Sequence, residues 1–251
     1  MEGFTVTLAY KYVALVLMLA EANFFAGKVG LKLDQPITDQ DVRNGSHVSP
    51  PKTNDFGGSI MTDSYFFGFG FGHLANFHRN DFKSDSDAAV KERNVSLSKQ
   101  TSLIDTNGAY QLATNWLNAI GVDLKLLGEK YKLNITQWRY FHGEGLVDSP
   151  TMLPVFQVEW RGSPFKSRQA RRDMAVVTMT IYGPTKDLVE FHILDDSLFV
   201  RPKITIVGQE ELLSISDGEF RAFGSLQRSN LAVRFGLRPG DAVTTAPAER
   251  K

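Results

Sequence analysis

The stretch Met174-Ala175-Val176-Val177-Thr178-Met179-Thr180-Ile181-Tyr182 decides the fold, because in it Val176, Thr178 and Thr180 alternate with Val177, Met179 and Ile181. Alternation with a period of two is typical of a β-strand that has one face in a core and the other face wet. The turn signal Gly183-Pro184 follows directly, and another strand-like run, Leu188–Leu194, comes after it. The sequence therefore predicts neighbouring strands here, joined by a tight turn.

Two more strand-like runs, Ile135–Phe141 and Leu153–Trp160, precede this pair and are separated from their neighbours by glycine-containing turn signals. In the second run, Gln157 and Glu159 alternate with apolar residues, which again indicates one wet face. Four such runs predict an antiparallel sheet.

A helix is predicted ahead of the sheet, because apolar residues recur at helical spacing from Tyr110 to Ile120. Asp105 or Thr106 is suited to its N-cap and Gly121 to its C-terminal cap, and Asp123 is suited to cap a second short helix through Tyr131. We expect an α+β domain over residues 103–237, in which the helix packs on a four- to five-stranded antiparallel sheet in two layers. Within it, strand 203–207 and helix 209–215 are also predicted.

The remaining chain is predicted to be less regular. Residues 23–102 form an extended or partly ordered region, interrupted by Pro36, Pro50-Pro51 and Gly57-Gly58. It contains a strand in which phenylalanine and glycine alternate from Phe67 to Phe71, and a short helix over residues 86–97. Residues 238–251 are predicted to be a disordered tail.

The N-terminus indicates export. Lys11 precedes the apolar run Tyr12–Ala20, and Ala20-Glu21-Ala22 has the small-x-small pattern of a signal-peptidase site, so we predict a signal peptide over residues 1–22. Such a run makes roughly 14 Å of helix, which is too short for a stable transmembrane span. The alternative is that the same residues form an amphipathic or core helix.

Composition excludes some classes of function. Lysine and arginine total 28, as do aspartate and glutamate, so the chain lacks the basic excess typical of nucleic-acid binding. There is no cysteine, which excludes disulfides, thiol catalysis and thiolate metal sites.

A family resemblance covers roughly Tyr65 to Phe220. The run from Asp105 to Leu117 (DTNGAYQLATNWL) resembles one from a family of uncharacterised exported proteins of environmental bacteria, and so does the run from Tyr182 to Leu188 (YGPTKDL) with its sequel Leu194–Leu198. This family brings no catalytic residues with it. In layout the chain is also similar to PepSY and cystatin-like domains, and that similarity implies protease inhibition or binding at the cell envelope.

Three groups of residues are candidates for a reactive or ligand-binding site. Gly68, Gly70 and Gly72 lack the strand, helix and lysine context of a phosphate-binding loop. His73 and His78, with Asp81 behind them, lie five apart, a spacing that fits neither a helical nor a strand metal pair. Glu190, Asp195 and Asp196 are acids that flank a turn, where solvation is their usual state.

We therefore predict no catalytic residue, metal site or cofactor, and a non-enzymatic module that binds a protein or an envelope component. The predicted binding residues are Trp160, on the exposed sheet face, with Lys166, Arg168, Arg171 and Arg172 in the following loop. Two alternatives stay open. One is a hydrolase or metal-dependent enzyme that uses His73, His78 and the acids, and the other is a carrier with the aromatic residues 66–71 around an apolar ligand.

Overall fold

The computed structural model of the protein describes residues 2–43, 46–48, 57–70, 72–83, 86–140, 150–163 and 173–200, with side chains from Ala14 onward except that of Val48. Within these residues four helices pack on an antiparallel sheet, which confirms the α+β class. The helices are α1 (Glu2–Val29), α2 (Asp87–Leu97), α3 (Thr106–Ala119) and α4 (Leu124–Lys130). The strands are β1 (His47–Val48), β2 (Gly58–Met61), β3 (Tyr65–Gly70), β4 (His73–Arg79), β5 (Lys132–Tyr140), β6 (Thr151–Gly162), β7 (Met174–Tyr182) and β8 (Asp187–Ile193).

In the described parts of the chain the sheet has eight strands in the order β1-β2-β3-β4-β8-β7-β6-β5, so it is larger than the predicted four to five. Strands β5–β8 are the four that the sequence predicted. Strands β1–β4 belong to the region predicted as extended or partly ordered, where only the Phe/Gly strand, now β3, was foreseen. Short strands such as β1 and β2 carry little periodicity of their own and are defined by pairing with their neighbours.

The strand order is symmetric about the middle of the sheet. From either edge inward the strands are the first, second, third and fourth of a group of four that is consecutive in sequence. In each half a helix precedes a meander of four strands: α1 precedes β1–β4, and α3 precedes β5–β8 with α4 between them. The halves join where β4 pairs with β8 through Asn76 with His192, Phe77 with Phe191 and His78 with Glu190.

The core lies between one face of this sheet and helices α1 and α3. Phe25 of α1 stands over the join, with its ring centroid 5.3 Å from that of Phe77 and 5.5 Å from that of Phe191. The same buried cluster contains residues from both halves: Leu15, Met18, Phe67, Ala113, Leu117, Val158, Met179 and Ile181. One continuous core therefore connects the two meanders.

Helix α1 includes residues that the sequence assigned elsewhere. Asn23–Val29 is helical, whereas the sequence placed these residues in the extended or partly ordered region 23–102. The side chain of Asn23 donates to the backbone oxygen of Ile37 at 2.8 Å and accepts from its N–H at 2.7 Å, which fastens the following loop to the helix. Ala22, at the predicted cleavage site, is fully buried.

The predicted helix over residues 86–97 is confirmed as α2, and so are the predicted caps of α3 and α4. The side chains of Ser86, Asp105 and Asp123 accept from backbone N–H groups in the first turns of these helices. Gly121 has a φ of 87°, a left-handed conformation that suits glycine at the end of α3.

The predicted strand 203–207, helix 209–215 and tail 238–251 lie outside the described residues. None of the helices in the described parts of the chain combines the length and apolarity that a membrane crossing requires.

Candidate binding face of the sheet

The sheet face that points away from α1 and α3 carries two rows of mostly polar side chains, and we call it the polar face. Its position follows from the period of two, because Phe67, Phe77, Phe191 and Met179 point into the core and their neighbours point the other way. Cross-strand pairing defines the first row: Ser59, Gly68, Asn76, His192, Thr178, Glu159 and Asn134. The second row is Met61, Phe66, His78, Glu190, Thr180, Gln157 and Thr136.

The centre of the polar face has short side chains between longer ones. Thr178 and Thr180 of β7 are 8% and 0% exposed, and both stand between β8 and β6, which carry longer polar residues. The hydroxyl of Thr180 donates to Oε2 of Glu190 at 3.1 Å. The predicted wet face is therefore polar, but its central threonines are buried.

Glu159 is held in a network on β5 and β6. One carboxylate oxygen accepts from Nδ2 of Asn134 at 3.2 Å and from a guanidinium nitrogen of Arg161 at 3.0 Å, and the other accepts from Nε2 of Gln157 at 3.2 Å. Arg161 balances the charge of Glu159. This part of the face consequently presents hydrogen-bonding groups without a net charge.

Two histidines flank the join between the halves. Burial lowers the pKa of His78, and the nearby Lys83 lowers it further. Burial also lowers the pKa of His192, although Glu190 offsets part of that effect. Both imidazoles are therefore uncharged at neutral pH, when each ring has one donor and one acceptor nitrogen.

An aromatic platform extends the polar face onto β3. The ring of Phe66 stacks on that of His78, with centroids 4.7 Å apart and planes 14° apart. A Cβ atom at Gly68 would lie 3.2 Å from the Phe66 ring and 3.2 Å from the Cβ atom of Asn76. The space above this glycine is thus partly taken by the Phe66 ring.

One end of the same face is covered by the chain itself. Leu97 of α2 packs with Leu153 and Val155 of β6 in a second apolar cluster, beside Trp138 and Tyr182. As far as the described residues show, the uncovered part of the polar face therefore lies over the middle of β4, β8, β7 and β6.

The structure corrects one predicted site residue and leaves the others undescribed. Trp160 is only 4% exposed and belongs to the core, because it lies on the helix-covered side of β6, so it contributes no binding surface. Lys166, Arg168, Arg171 and Arg172 lie outside the described residues.

The candidate residues for metal or acid–base chemistry are separated from one another. His73 is buried at the start of β4 and stacks on Phe199 at 4.3 Å, whereas His78 is five residues along the same strand, about 16 Å away. Asp81 is paired with Arg79 at 2.6 Å. Among the described residues, no group of three or more metal-ligating side chains comes together.

Asp195 belongs to a separate cluster at the end of β8. It accepts from the hydroxyl of Tyr131 at 2.7 Å, from the ammonium of Lys130 at 3.3 Å and from the hydroxyl of Ser197 at 2.6 Å. Lys130 also donates to the Ser197 oxygen at 3.0 Å, so both groups are occupied in joining α4 to the turn after β8. The cluster stabilises the fold and leaves no free base beside the serine.

Comparisons with protein-family models, curated proteins and solved structures found no match. The resemblances to exported bacterial proteins and to PepSY and cystatin-like domains therefore stay predictions.

Sequence reasoning found the part of the polar face that lies on β6 and β7. Gln157, Glu159, Thr178 and Thr180 were identified by their alternation with apolar residues. Asn76, His78 and Phe66 were missed as members of one surface, because the first meander was not predicted. The signal that pointed to them was the alternation around Phe67 in β3 and around Phe77 in β4.

Proposed function

We propose that the protein is a non-enzymatic binding module and that its polar face binds a neutral, hydroxyl-rich ligand, such as a glycan of a cell envelope. The observation that carries the proposal is the density of uncharged donors and acceptors on this face. Asn76, His78, Gln157 and His192 are half-buried there, so their positions are restricted while their polar atoms are within reach.

Charge favours a neutral ligand over an anionic one. The two imidazoles are uncharged at neutral pH, Arg161 is engaged with Glu159, and Glu190 adds a negative charge. A phosphate or sulfate would meet no unpaired cation among the described residues of this face, whereas a sugar hydroxyl both donates and accepts. The Phe66 ring adds an apolar surface on which the C–H side of a pyranose can pack.

The test is a titration followed by NMR, with neutral cello- and chito-oligosaccharides as probes and oligouronides of the same length as the anionic comparison. We expect the neutral probes to shift the side-chain amide signals of Asn76 and Gln157. The double variant N76A/Q157A should weaken binding by about tenfold or more, because each lost hydrogen bond contributes about 1 kcal/mol.

The matched control is Q111A/N118A, which removes two exposed amides from α3 on the opposite side of the molecule. It should leave the affinity unchanged. The proposal would be contradicted if the protein bound the oligouronides more tightly than the neutral probes, or if the NMR shifts were confined to other surfaces. It would also be contradicted if N76A/Q157A bound the neutral probes as tightly as the wild type.

Export is a second part of the proposal, and the signal-like pattern from Lys11 to Ala22 supports it. The packing of Leu15 and Met18 in the core supports the alternative, a retained helix. Mass spectrometry of the protein from the cells that make it distinguishes the two. A mature chain that begins at Asn23 would establish export, and a chain that retains residues 1–22 in the cell interior would refute it.

A further inference from the structure

The longer edge of the sheet that the described residues form is strand β5. Among the described residues β5 pairs with β6 only, whereas the opposite edge, β1, is two residues long. The nine residues of β5 extend over about 30 Å. Every second residue of an edge strand points its backbone N–H and C=O groups away from the sheet, where another strand can bond to them.

The regular part of this edge is Lys132–Gln137. Its register with β6 runs without interruption from Lys132 opposite Arg161 to Gln137 opposite Phe156, and a bulge follows between Gln137 and Arg139. A bulge bends the strand and ends regular pairing. An added strand therefore has about six residues to pair with.

The side chains along the edge favour an acidic partner with apolar residues at alternate positions. Lys132 and Arg139 are exposed near its two ends, make no ion pair with another described residue, and are the charged residues of β5. Leu133 is 45% exposed and Ile135 is half-buried on the side that the helices cover. Apolar side chains of an added strand would extend that layer beside Leu133.

Charge also argues against a second copy of the chain as the partner. Antiparallel pairing of two β5 strands would gather two lysines and two arginines along one seam with no acidic residue of β5 to balance them. Like charges across paired strands destabilise them, whereas a partner with acidic residues at its ends would attract both cations.

We propose that β5 is a strand-addition site, at which an extended acidic segment of a partner protein pairs with Lys132–Gln137 as a ninth strand of the sheet. The main-chain hydrogen bonds supply affinity, and Lys132, Leu133 and Arg139 supply specificity. This site is the outer edge of β5, where Asn134 and Thr136 end the two rows of the polar face. It does not depend on the ligand proposed for the middle of that face.

The probe is a fluorescent peptide of alternating valine and threonine with an aspartate at each end, and its binding to the full chain is followed by anisotropy. We expect saturable binding that slows hydrogen exchange at the backbone amides of Lys132–Gln137. The double variant K132E/R139E should bind it about tenfold more weakly and should prefer the same peptide with lysine ends, because two attractive pairs become repulsive.

Two controls keep the result specific. The variant K91E/K99E makes the same change in net charge at two exposed positions, one in α2 and one just after it. It should bind the peptide like the wild type. A peptide with N-methylated amides should not bind, because it cannot donate along the edge. Equal binding of the N-methylated peptide, or of the parent peptide to K132E/R139E, would overturn the proposal. So would a dimer in sedimentation equilibrium that K132E/R139E alters, since a second copy would then occupy the edge.

Discussion

Gly183 occupies a point where three segments of backbone converge. Its N–H donates to the carbonyl oxygen of Pro154 at 2.8 Å, and its carbonyl oxygen accepts from the N–H of Leu103 at 3.1 Å. A Cβ atom there would stand 2.1 Å from Oγ of Ser102 and 3.0 Å from the Pro154 oxygen. The glycine in the predicted Gly183-Pro184 turn is therefore required by the close approach of neighbouring chain segments.

The variant G183A should lower the free energy of unfolding by about 1–3 kcal/mol, because the added methyl group cannot fit without moving backbone. The comparison is G128A in α4, where a Cβ meets nothing within 4 Å. That change should raise the free energy of unfolding by about 0.5–1 kcal/mol, since alanine favours a helix interior. Urea denaturation measures both, and equal effects would contradict the role assigned to Gly183.

Asp195 shows how a carboxylate gains stability from its neighbours. Burial alone would raise its pKa, but hydrogen bonds from Ser197, Tyr131 and Lys130 exceed that effect, so the pKa of Asp195 lies below its ordinary value. Burial and the bond to Asp195 raise the pKa of Tyr131, which keeps the phenol protonated as the donor.

A carboxyl group whose pKa is lower in the folded state stabilises the fold above its unfolded pKa, and the contribution disappears as the pH falls through the folded pKa. The free energy of unfolding of the variant D195N should therefore be about 2 kcal/mol lower than that of the wild type at pH 7. The difference from the wild type should shrink below about pH 4. Denaturation midpoints measured from pH 7 down to pH 2 test this pH dependence. The control is D34N, because Asp34 is exposed. A difference that stays constant down to pH 2 would show that charge is not involved.

At the scale of elements, α1 depends on tertiary packing for its stability. Leu15, Met18 and Phe25 are at most 1% exposed, whereas Val16 on the same helix is 40% exposed. Glu21, 2% exposed, accepts from the N–H of Leu74 at 3.3 Å, so a charged residue in the buried part of the helix also contacts β4.

M18A should lower the free energy of unfolding by about 2–4 kcal/mol, because it opens a cavity beneath the helix. V16A should change it by no more than about 0.5 kcal/mol, because that side chain lies at the surface. Thermal denaturation of the full chain compares them. Equal, small effects would mean that α1 is not part of the folded core, as expected of a signal peptide that is removed.

The elements that the sequence predicted correctly are those with local signals. Asp105, Gly121 and Asp123 define the ends of α3 and the start of α4 by themselves, and β5–β8 have long alternating runs. The first meander lacks such signals because β1 and β2 are two and four residues long and are held by neighbours distant in sequence. The polar face was accordingly predicted on β6 and β7 but not on β3 and β4. In α1, Ala20-Glu21-Ala22 satisfies a cleavage pattern and also fits helix packing, so pattern alone does not distinguish the two.

At the scale of the whole molecule, the two halves share a core although few strand pairs join them. The join between β4 and β8 has three paired positions, yet Phe25 touches aromatic residues on both sides of it. A core shared in this way favours a single cooperative unfolding transition.

We expect denaturation curves from tryptophan fluorescence and far-ultraviolet circular dichroism to coincide. All three tryptophans, Trp116, Trp138 and Trp160, lie in the second half, so fluorescence reports that half alone, whereas circular dichroism reports both. The variant F25A should shift both curves together to a lower denaturant concentration. Separate midpoints for the two signals would show that the halves unfold independently.

The palindromic strand order has a consequence for how such a molecule arises. Two identical chains, each consisting of one helix and one four-stranded meander, would build the same sheet by pairing their last strands about a two-fold axis. Gene duplication and fusion would convert that homodimer into one polypeptide. The surfaces that were identical in the two subunits could then differ in sequence. Asn76 and His78 on one side of the join face His192 and Glu190 on the other, so the side chains at the join differ although the strand order is symmetric about it.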